Sequence, residues 1–281
     1  MVKMGKCQPV LLFFFTLHFV IQEASLLWKR EEDFTPLTSV EPPTYDRKLS
    51  DKVEAMLEKH WGLRGGYVDA ECDGESDCKA ETYGEVTTVG GRQLAHALGL
   101  ADDRISNSSP PRMVFCDLGS GVGKLTVQLA LENAGLVRSV GIELNQARHQ
   151  RGVSALESLE TSGEVAFLMS EFERQQTPEL ELKWGDLFES DLAGVTHVYI
   201  ASLCFSSDIL ERLGGFLDRQ STVQVVASIR RIPTLHKDGN TKSWSEPEPF
   251  PISMSWGGAW IHVYKRNTSS VECSAATLDE T

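Results

Sequence analysis

The stretch Phe115-Cys116-Asp117-Leu118-Gly119-Ser120-Gly121-Val122-Gly123 constrains this chain more than any other. An apolar run, Met113 to Leu118, has the length and composition of a buried strand, and a helical apolar pattern follows from Val122 to Asn133. Between them stand three glycines at alternate positions, with an acid at the strand's end. Glycine belongs in such a turn because a Cβ would hold a ligand away from the main chain. In open α/β sheets, ligands bind beyond the carboxyl ends of the strands. Asp117, Gly119, Ser120, Gly121 and Gly123 are therefore the first candidate binding residues.

Three ligand classes compete for a loop of this kind. A phosphate loop needs a glycine five residues before its Gly-Lys pair and a Ser or Thr after it. Leu118 and Leu125 stand at those positions. A dinucleotide loop needs its third glycine one residue later, where this chain has Lys124. The spacing G-x-G-x-G after an aspartate instead resembles the first motif of class I S-adenosylmethionine (SAM)-dependent methyltransferases. Two further acids fit an adenosine. Glu143 closes the apolar run Val140-Gly141-Ile142, where a carboxylate can accept both ribose hydroxyls. Asp186 follows Trp184-Gly185, in position to meet an adenine amino group.

Around this loop the pattern alternates. Strands are expected at Met113–Leu118, Arg138–Ile142, Glu179–Trp184, Val195–Ile200 and Thr222–Ile229. Helices are expected over Val122–Asn133, from an Asn145 cap to about Glu160, and over Asp208–Leu217. Ile252–Trp256 and Trp260–Tyr264, split by Gly257-Gly258, form an expected terminal hairpin. Upstream, Leu49–Trp61 is an amphipathic helix, and Thr87–Leu98 is a second one that stops at Gly99. The fold class is α/β: a doubly wound, mainly parallel seven-stranded sheet of the class I SAM-methyltransferase type, with a small helical N-terminal extension.

At this level of detail the chain resembles the disruptor-of-telomeric-silencing type of histone-lysine methyltransferase, which has the class I fold and no SET domain. The resemblance runs from about Thr82 to Lys265 and is strongest over Asp117–Gly123. Tyr83-Gly84-Glu85 matches a family loop that folds over the methionine end of SAM. Ser255-Trp256-Gly257 matches an element whose tryptophan walls a lysine channel, and Phe205 lines up with a channel phenylalanine. The resemblance implies SAM as cofactor, with Tyr83, Glu85, Asp117, Gly119, Ser120, Gly121, Gly123, Glu143 and Asp186 holding it. It implies Tyr83, Phe205 and Trp256 as catalytic residues and a protein substrate, the family's being a lysine in the core of histone H3. Two departures stand out. Ala201-Ser202 replaces a pair of asparagines, and the family's basic nucleosome-contacting extension is missing.

The chemistry agrees with this pattern. Methyl transfer is an in-line displacement governed by alignment. A lysine of pKa about 10.4 must lose a proton, at roughly 4–5 kcal/mol at neutral pH, and an apolar aromatic channel lowers that cost. Phe205 and Trp256 are the leading wall candidates, and Tyr199 and Trp260 the weaker ones. His96, His149 and His197 show no partner pattern, and no Cys/His cluster has metal-ligand spacing.

Charge and the N-terminus limit partners and location. With 40 acidic against 27 basic side chains, a net −13, the chain has no basic stripe for a phosphate backbone. Lys3 and Lys6 precede an apolar stretch from Val10 to Ile21, then Ala24 and Ser25. This is the layout of a secretory signal peptide. A short anchor and an unprocessed N-terminus remain open, and the stretch is short for a span, so none is expected in the mature chain. The leader points to the secretory route or an organelle, the resemblance to the nucleus. Cys72 and Cys78 share an acidic loop and could pair in an oxidising compartment, whereas Cys116 and Cys204 sit on apolar stretches as expected buried thiols. The organisation is a leader over 1–25, a linker and helical extension over 26–80, a methyltransferase domain over 81–266, and a disordered tail over 267–281. Three readings of function follow: a histone-type lysine methyltransferase, a methyltransferase for another protein or a small molecule, and a SAM-binding protein without catalysis.

Overall fold

The computed structural model describes residues 42, 45–62, 84–100, 112–235 and 243–267. The leader, Tyr83, Cys72, Cys78 and the tail beyond Asn267 lie outside those residues.

Two helices precede the sheet: α1 (Arg47–Trp61), capped by the Asp46 carboxylate, and α2 (Thr88–Leu98), capped by the Thr87 hydroxyl and ended by Gly99 in the left-handed conformation. The central unit follows. Strand β1 (Met113–Leu118) leads through the glycine turn to α3 (Lys124–Glu132), then β2 (Leu136–Glu143), α4 (Gln146–Ser162) and α5 (Glu164–Glu171). The chain continues through β3 (Glu179–Trp184), β4 (His197–Ile200), α6 (Ser207–Asp218), β5 (Val225–Ser228), β6 (Glu248–Met254) and β7 (Gly257–Lys265).

The seven strands form one sheet in the order β3-β2-β1-β4-β5-β7-β6. The pairs among β1 to β5 are parallel, and β7 runs antiparallel to both β5 and β6. A strand order that reverses beside β1, with an inserted antiparallel β7, is the class I methyltransferase arrangement expected from the sequence. It creates a crevice at the carboxyl ends of β1 and β4. β1 is central and covered on both faces, which explains its unbroken apolar run. Phe115 packs into one core layer with Leu94, Leu129 and Ile261, and Cys116 and Leu118 pack into the opposite layer with Val198, Leu213 and Phe216. Pro249 and Pro251 are tolerated in β6 because it is an edge strand.

Four local expectations are corrected. The helix after the glycine loop starts at Lys124 and not at Val122, since Gly123 is still left-handed (φ 77°). Helix α5 is an additional element; Gly163, also left-handed, ends α4 and starts it. The hairpin turns at Ser255-Trp256, with Met254 paired to Gly257, so both glycines belong to β7. Cys116 is buried but Cys204 is exposed, because it lies in a short 3₁₀ turn that leaves the sheet after β4.

Helix α1 is joined to the site. Its apolar face, Leu49, Val53, Leu57 and Trp61, packs on Val127, Leu131 and Leu159. The Trp61 indole N–H donates to the carbonyl of Val122 inside the glycine loop at 2.7 Å. The N-terminal extension thus buttresses the turn from behind.

Candidate active site

A cleft of about 400 Å³, counted with its open mouth, lies over the carboxyl ends of β1 and β4. Asp117, Gly119, Ser120 and Gly121 form one side of it, and Gly84, Glu85 and Val86 another. Tyr199, Ala201 and Leu125 complete the lining. The predicted glycine loop and the predicted upstream loop therefore face one space, although more than thirty positions separate them in the sequence.

The loop's geometry follows from its glycines. Gly119, Gly121 and Gly123 all have positive φ (98°, 57° and 77°). The N–H groups of Gly119 and Ser120 donate to the carbonyl of Ile142 at 2.8 and 3.0 Å, which fixes the turn against β2. Glu143, at the end of β2, accepts from Gly121 N–H through Oε2 (2.7 Å) and from Asn145 N–H through Oε1 (2.8 Å). Each carboxylate oxygen has further lone-pair capacity, enough for a pair of vicinal hydroxyls.

The upstream loop is fastened to the β6–β7 turn. Ser255 N–H donates to Glu85 O (2.8 Å), Glu85 N–H donates to Ser255 Oγ (3.0 Å), and Thr87 N–H donates to Ser253 O (3.1 Å). The Trp256 ring lies so close to Gly84 that a Cβ there would fall 1.6 Å from the ring. Glycine is required at that position by the approach of the indole, and Trp256 still keeps 42% of its surface exposed at the rim. Two motifs that the sequence places some 170 residues apart thus form one wall.

The remaining predicted residues lie in different surroundings. Phe205 is half-buried against the second core layer, its carbonyl accepting from the Arg230 guanidinium, and it does not line the cleft. Asp186 stands at the end of β3 and accepts from Phe188 N–H at 2.9 Å, capping the 3₁₀ turn Leu187–Glu189. Trp260 lies 40% exposed on β7. Tyr199, a minor candidate from sequence, is 1% exposed and belongs to the cleft wall. Its weight was hidden because its position on β4 reads as ordinary core. His197 is buried and held neutral, its pKa pushed down to about 4 by burial. Among the described residues no His/Cys/Asp/Glu group is placed to hold a metal, and no helix is long and apolar enough to cross a membrane.

Three buried oxygens of this cleft have no hydrogen-bond partner: Asp117 Oδ1, Ser120 Oγ and Tyr199 Oη. Each such group costs about 1–3 kcal/mol when left unmade, so their presence in residues that line one cleft marks a polar ligand. The donor set suits SAM: carboxylates for hydroxyls and for a cationic end, and bare main chain at Gly119 for close approach. Burial, then the neighbouring Glu143 carboxylate, pushes the Asp117 pKa from its ordinary 3.8 to about 8.

That shift has a stability consequence. A folded-state pKa above the unfolded one favours folding below pH 3.8, and the advantage disappears as pH rises towards 8. Asp117→Asn removes the ionisation. The empty variant is expected to melt several degrees higher than the parent at pH 8, with no gain at pH 4. Differential scanning calorimetry at the two pH values is the measurement, and an equal or lower midpoint at pH 8 would contradict the burial argument.

Comparison with known proteins gives three results. Residues 79–164 match the family model described as "Histone methylation protein DOT1". The span holds the Gly84-Glu85 loop, the whole glycine loop and Glu143, and ends before β3. No curated protein matches the chain. Solved structures that resemble it include TrmK of M. capricolum in complex with S-adenosyl-homocysteine, at 14% identity and TM-score 0.40 over 62% of this chain and 68% of that one. Others are an RNA methyltransferase from Salinibacter ruber with S-adenosyl-L-homocysteine (24%, 0.36, 60% and 87%) and the rRNA methyltransferase aviRa of Streptomyces viridochromogenes (15%, 0.40, 64% and 84%). These likenesses are loose in sequence and in shape.

Proposed function

We propose that this chain is a SAM-dependent methyltransferase whose acceptor is a lysine side chain of a protein, in the manner of the histone-modifying enzymes its sequence resembles. One observation carries the reading: the cleft under the glycine loop is lined by three residues with buried unpartnered oxygens, adjoins the loop that Glu143 holds, and is walled by a loop fastened to the Trp256 turn. The strand order and the DOT1 match over 79–164 support the same reading.

In that site Glu143 would hold the ribose hydroxyls, and the main chain at Gly119 and Gly121 would lie along the sulfur-bearing chain. Asp117 would face the amino-acid end, and Glu85 would close over it from the upstream loop. Bound there, SAM supplies an electrophilic methyl group on a sulfonium. The protein's task is alignment and exclusion of water. The acceptor nitrogen must arrive neutral, its lone pair forming the new N–C bond as the S–C bond breaks and its proton passing to solvent. The Trp256 indole, packed on Gly84, and the Tyr199 ring in the cleft wall would supply apolar surroundings that make a neutral amine cheaper.

The acceptor side favours a second reading as well. Ala201 puts a methyl group on the cleft wall, and the Ser202 hydroxyl is committed to Ser228 Oγ (2.7 Å) and Arg230 N–H (2.9 Å). Neither side chain offers the substrate an amide. A non-histone protein or a small molecule is then the acceptor, and the leader would carry the enzyme to it outside the nucleus.

Incubation of the purified chain with radiolabelled SAM, with core histones or with a lysate, separates the readings. Label in histone H3 supports the first and label elsewhere the second. Binding of SAM with no transfer to any acceptor would overturn both and leave a cofactor-binding protein. A fluorescent fusion with and without residues 1–25 reports whether the leader directs the chain.

A further inference from the structure

Asp117 and Tyr199 are register partners on the adjacent parallel strands β1 and β4, about 4.8 Å apart at the backbone. Partners in a parallel pair project to the same face, and here that is the face covered by α2 and α3. Both side chains are essentially buried, at 3% and 1% exposure, both residues line the cleft, and each carries a buried oxygen without a partner. A buried carboxylate beside a buried hydroxyl, both without partners, suits an ammonium group, whose N–H bonds need acceptors. A ribose or an adenine edge has no such demand, and Glu143 already occupies the place suited to the ribose.

We propose that Tyr199 Oη joins Asp117 Oδ1 to form the seat for the ammonium of the cofactor's amino-acid end. This rests on the SAM reading above and adds to it a residue that the glycine motif does not contain. The tyrosine hydroxyl keeps its proton, since burial and then the Asp117 charge push its pKa up. In the loaded site it would donate to the Asp117 carboxylate while accepting from the ammonium.

A proton accompanies this docking. In the empty cleft Asp117 holds one at neutral pH, because burial and then Glu143 raise its pKa to about 8. The charged groups around it are Glu143 on β2, Glu85 in the upstream loop and Lys124 at the start of α3, with Tyr199 facing it from β4. An arriving cation favours the carboxylate, and the proton leaves to the buffer. Loading is thereby linked to release of close to one proton at pH 7 and to none well above pH 8.

Titration calorimetry with the full chain tests both parts, using S-adenosyl-homocysteine and 5′-methylthioadenosine, which lacks the amino-acid end. In Tyr199→Phe, S-adenosyl-homocysteine is expected to bind about tenfold more weakly, or 1.4 kcal/mol, while methylthioadenosine affinity stays within twofold. Since the deleted hydroxyl has no partner in the empty protein, the variant is expected to melt no lower than the parent. In the parent at pH 7, binding heats in two buffers of different ionisation enthalpy should show proton release with S-adenosyl-homocysteine and not with methylthioadenosine. Equal losses for both ligands, or no change in either, overturn the proposed seat, as does an absence of proton release while the cofactor product binds. Failure of every adenosine ligand to bind the parent would instead overturn the SAM reading itself.

Discussion

Gly119→Val is expected to weaken SAM binding at least about 100-fold, some 2.7 kcal/mol, while the protein stays folded. The position has φ +98°, a conformation open to glycine and strained for a β-branched residue. A Cβ built there meets no protein atom within 4 Å, so the fold has room for it and the cleft does not. The added carbons occupy the space where bare main chain would meet the cofactor. If the turn relaxes to relieve the strain, Gly119 N–H and Ser120 N–H leave the Ile142 carbonyl, and the loop loses its seat on β2. Either route closes the site. Backbone strain alone must be subtracted, and Gly99→Val provides the control. Gly99 is also left-handed (φ +76°) with open space around it, but it ends α2 and does not line the cleft. Both variants should lose roughly 1–2 kcal/mol of stability, and Gly119→Val alone should lose the cofactor. Calorimetric affinity within threefold of the parent would remove the loop from the site.

The contrast between those two glycines shows what the sequence made legible. Alternation of apolar runs and caps was enough for the sheet, because a central strand covered on both faces has to be apolar throughout, as Met113–Leu118 is. The glycine loop was legible because its residue types are dictated by backbone conformation and not by distant neighbours. Caps at Thr87 and Asn145 were legible for the same local reason. Phe205 was not, since an aromatic beside a cleft and an aromatic under a 3₁₀ turn look identical in one dimension. Resemblance marked the Gly84 loop and the Trp256 turn separately, but not their partnership, whose cause, an indole lying on a residue without a Cβ, is purely tertiary. Tyr199 was undervalued because periodicity reports that a side chain is buried and says nothing of whether its hydroxyl has a partner.

Arg92 is the extreme of that blindness, and its replacement is the stability change expected to be largest. On helical spacing an arginine in α2 is assigned to solvent, yet Arg92 is 2% exposed. Its Nε and Nη2 donate to Glu132 Oε1 at 3.0 and 2.8 Å, and Nη2 also meets Glu54 at 2.7 Å. The Glu132 side chain is fully buried, and Gln128 Nε2 donates to it at 3.1 Å while also holding Thr88 O at 2.7 Å. One charge cluster therefore sets the spacing of α1, α2 and α3, the helices that carry the upstream loop and the glycine turn. Burial pushes the Glu132 pKa up in spite of the arginine, so the pair sits where desolvation is severe. Arg92→Met leaves that carboxyl unpaired and should cost about 3–5 kcal/mol, a fall of roughly 6–20 °C in melting temperature. Because an unpaired buried acid is tolerated only when protonated, the loss should be larger at pH 8 than at pH 5. Adding Glu132→Leu removes the stranded group, and the double variant should recover most of the deficit. Urea unfolding of the parent, both single variants and the double gives the cycle. A cost below about 1 kcal/mol for Arg92→Met, or a double variant no better than the single, would mean that apolar packing rather than this ion pair holds the three helices beneath the site.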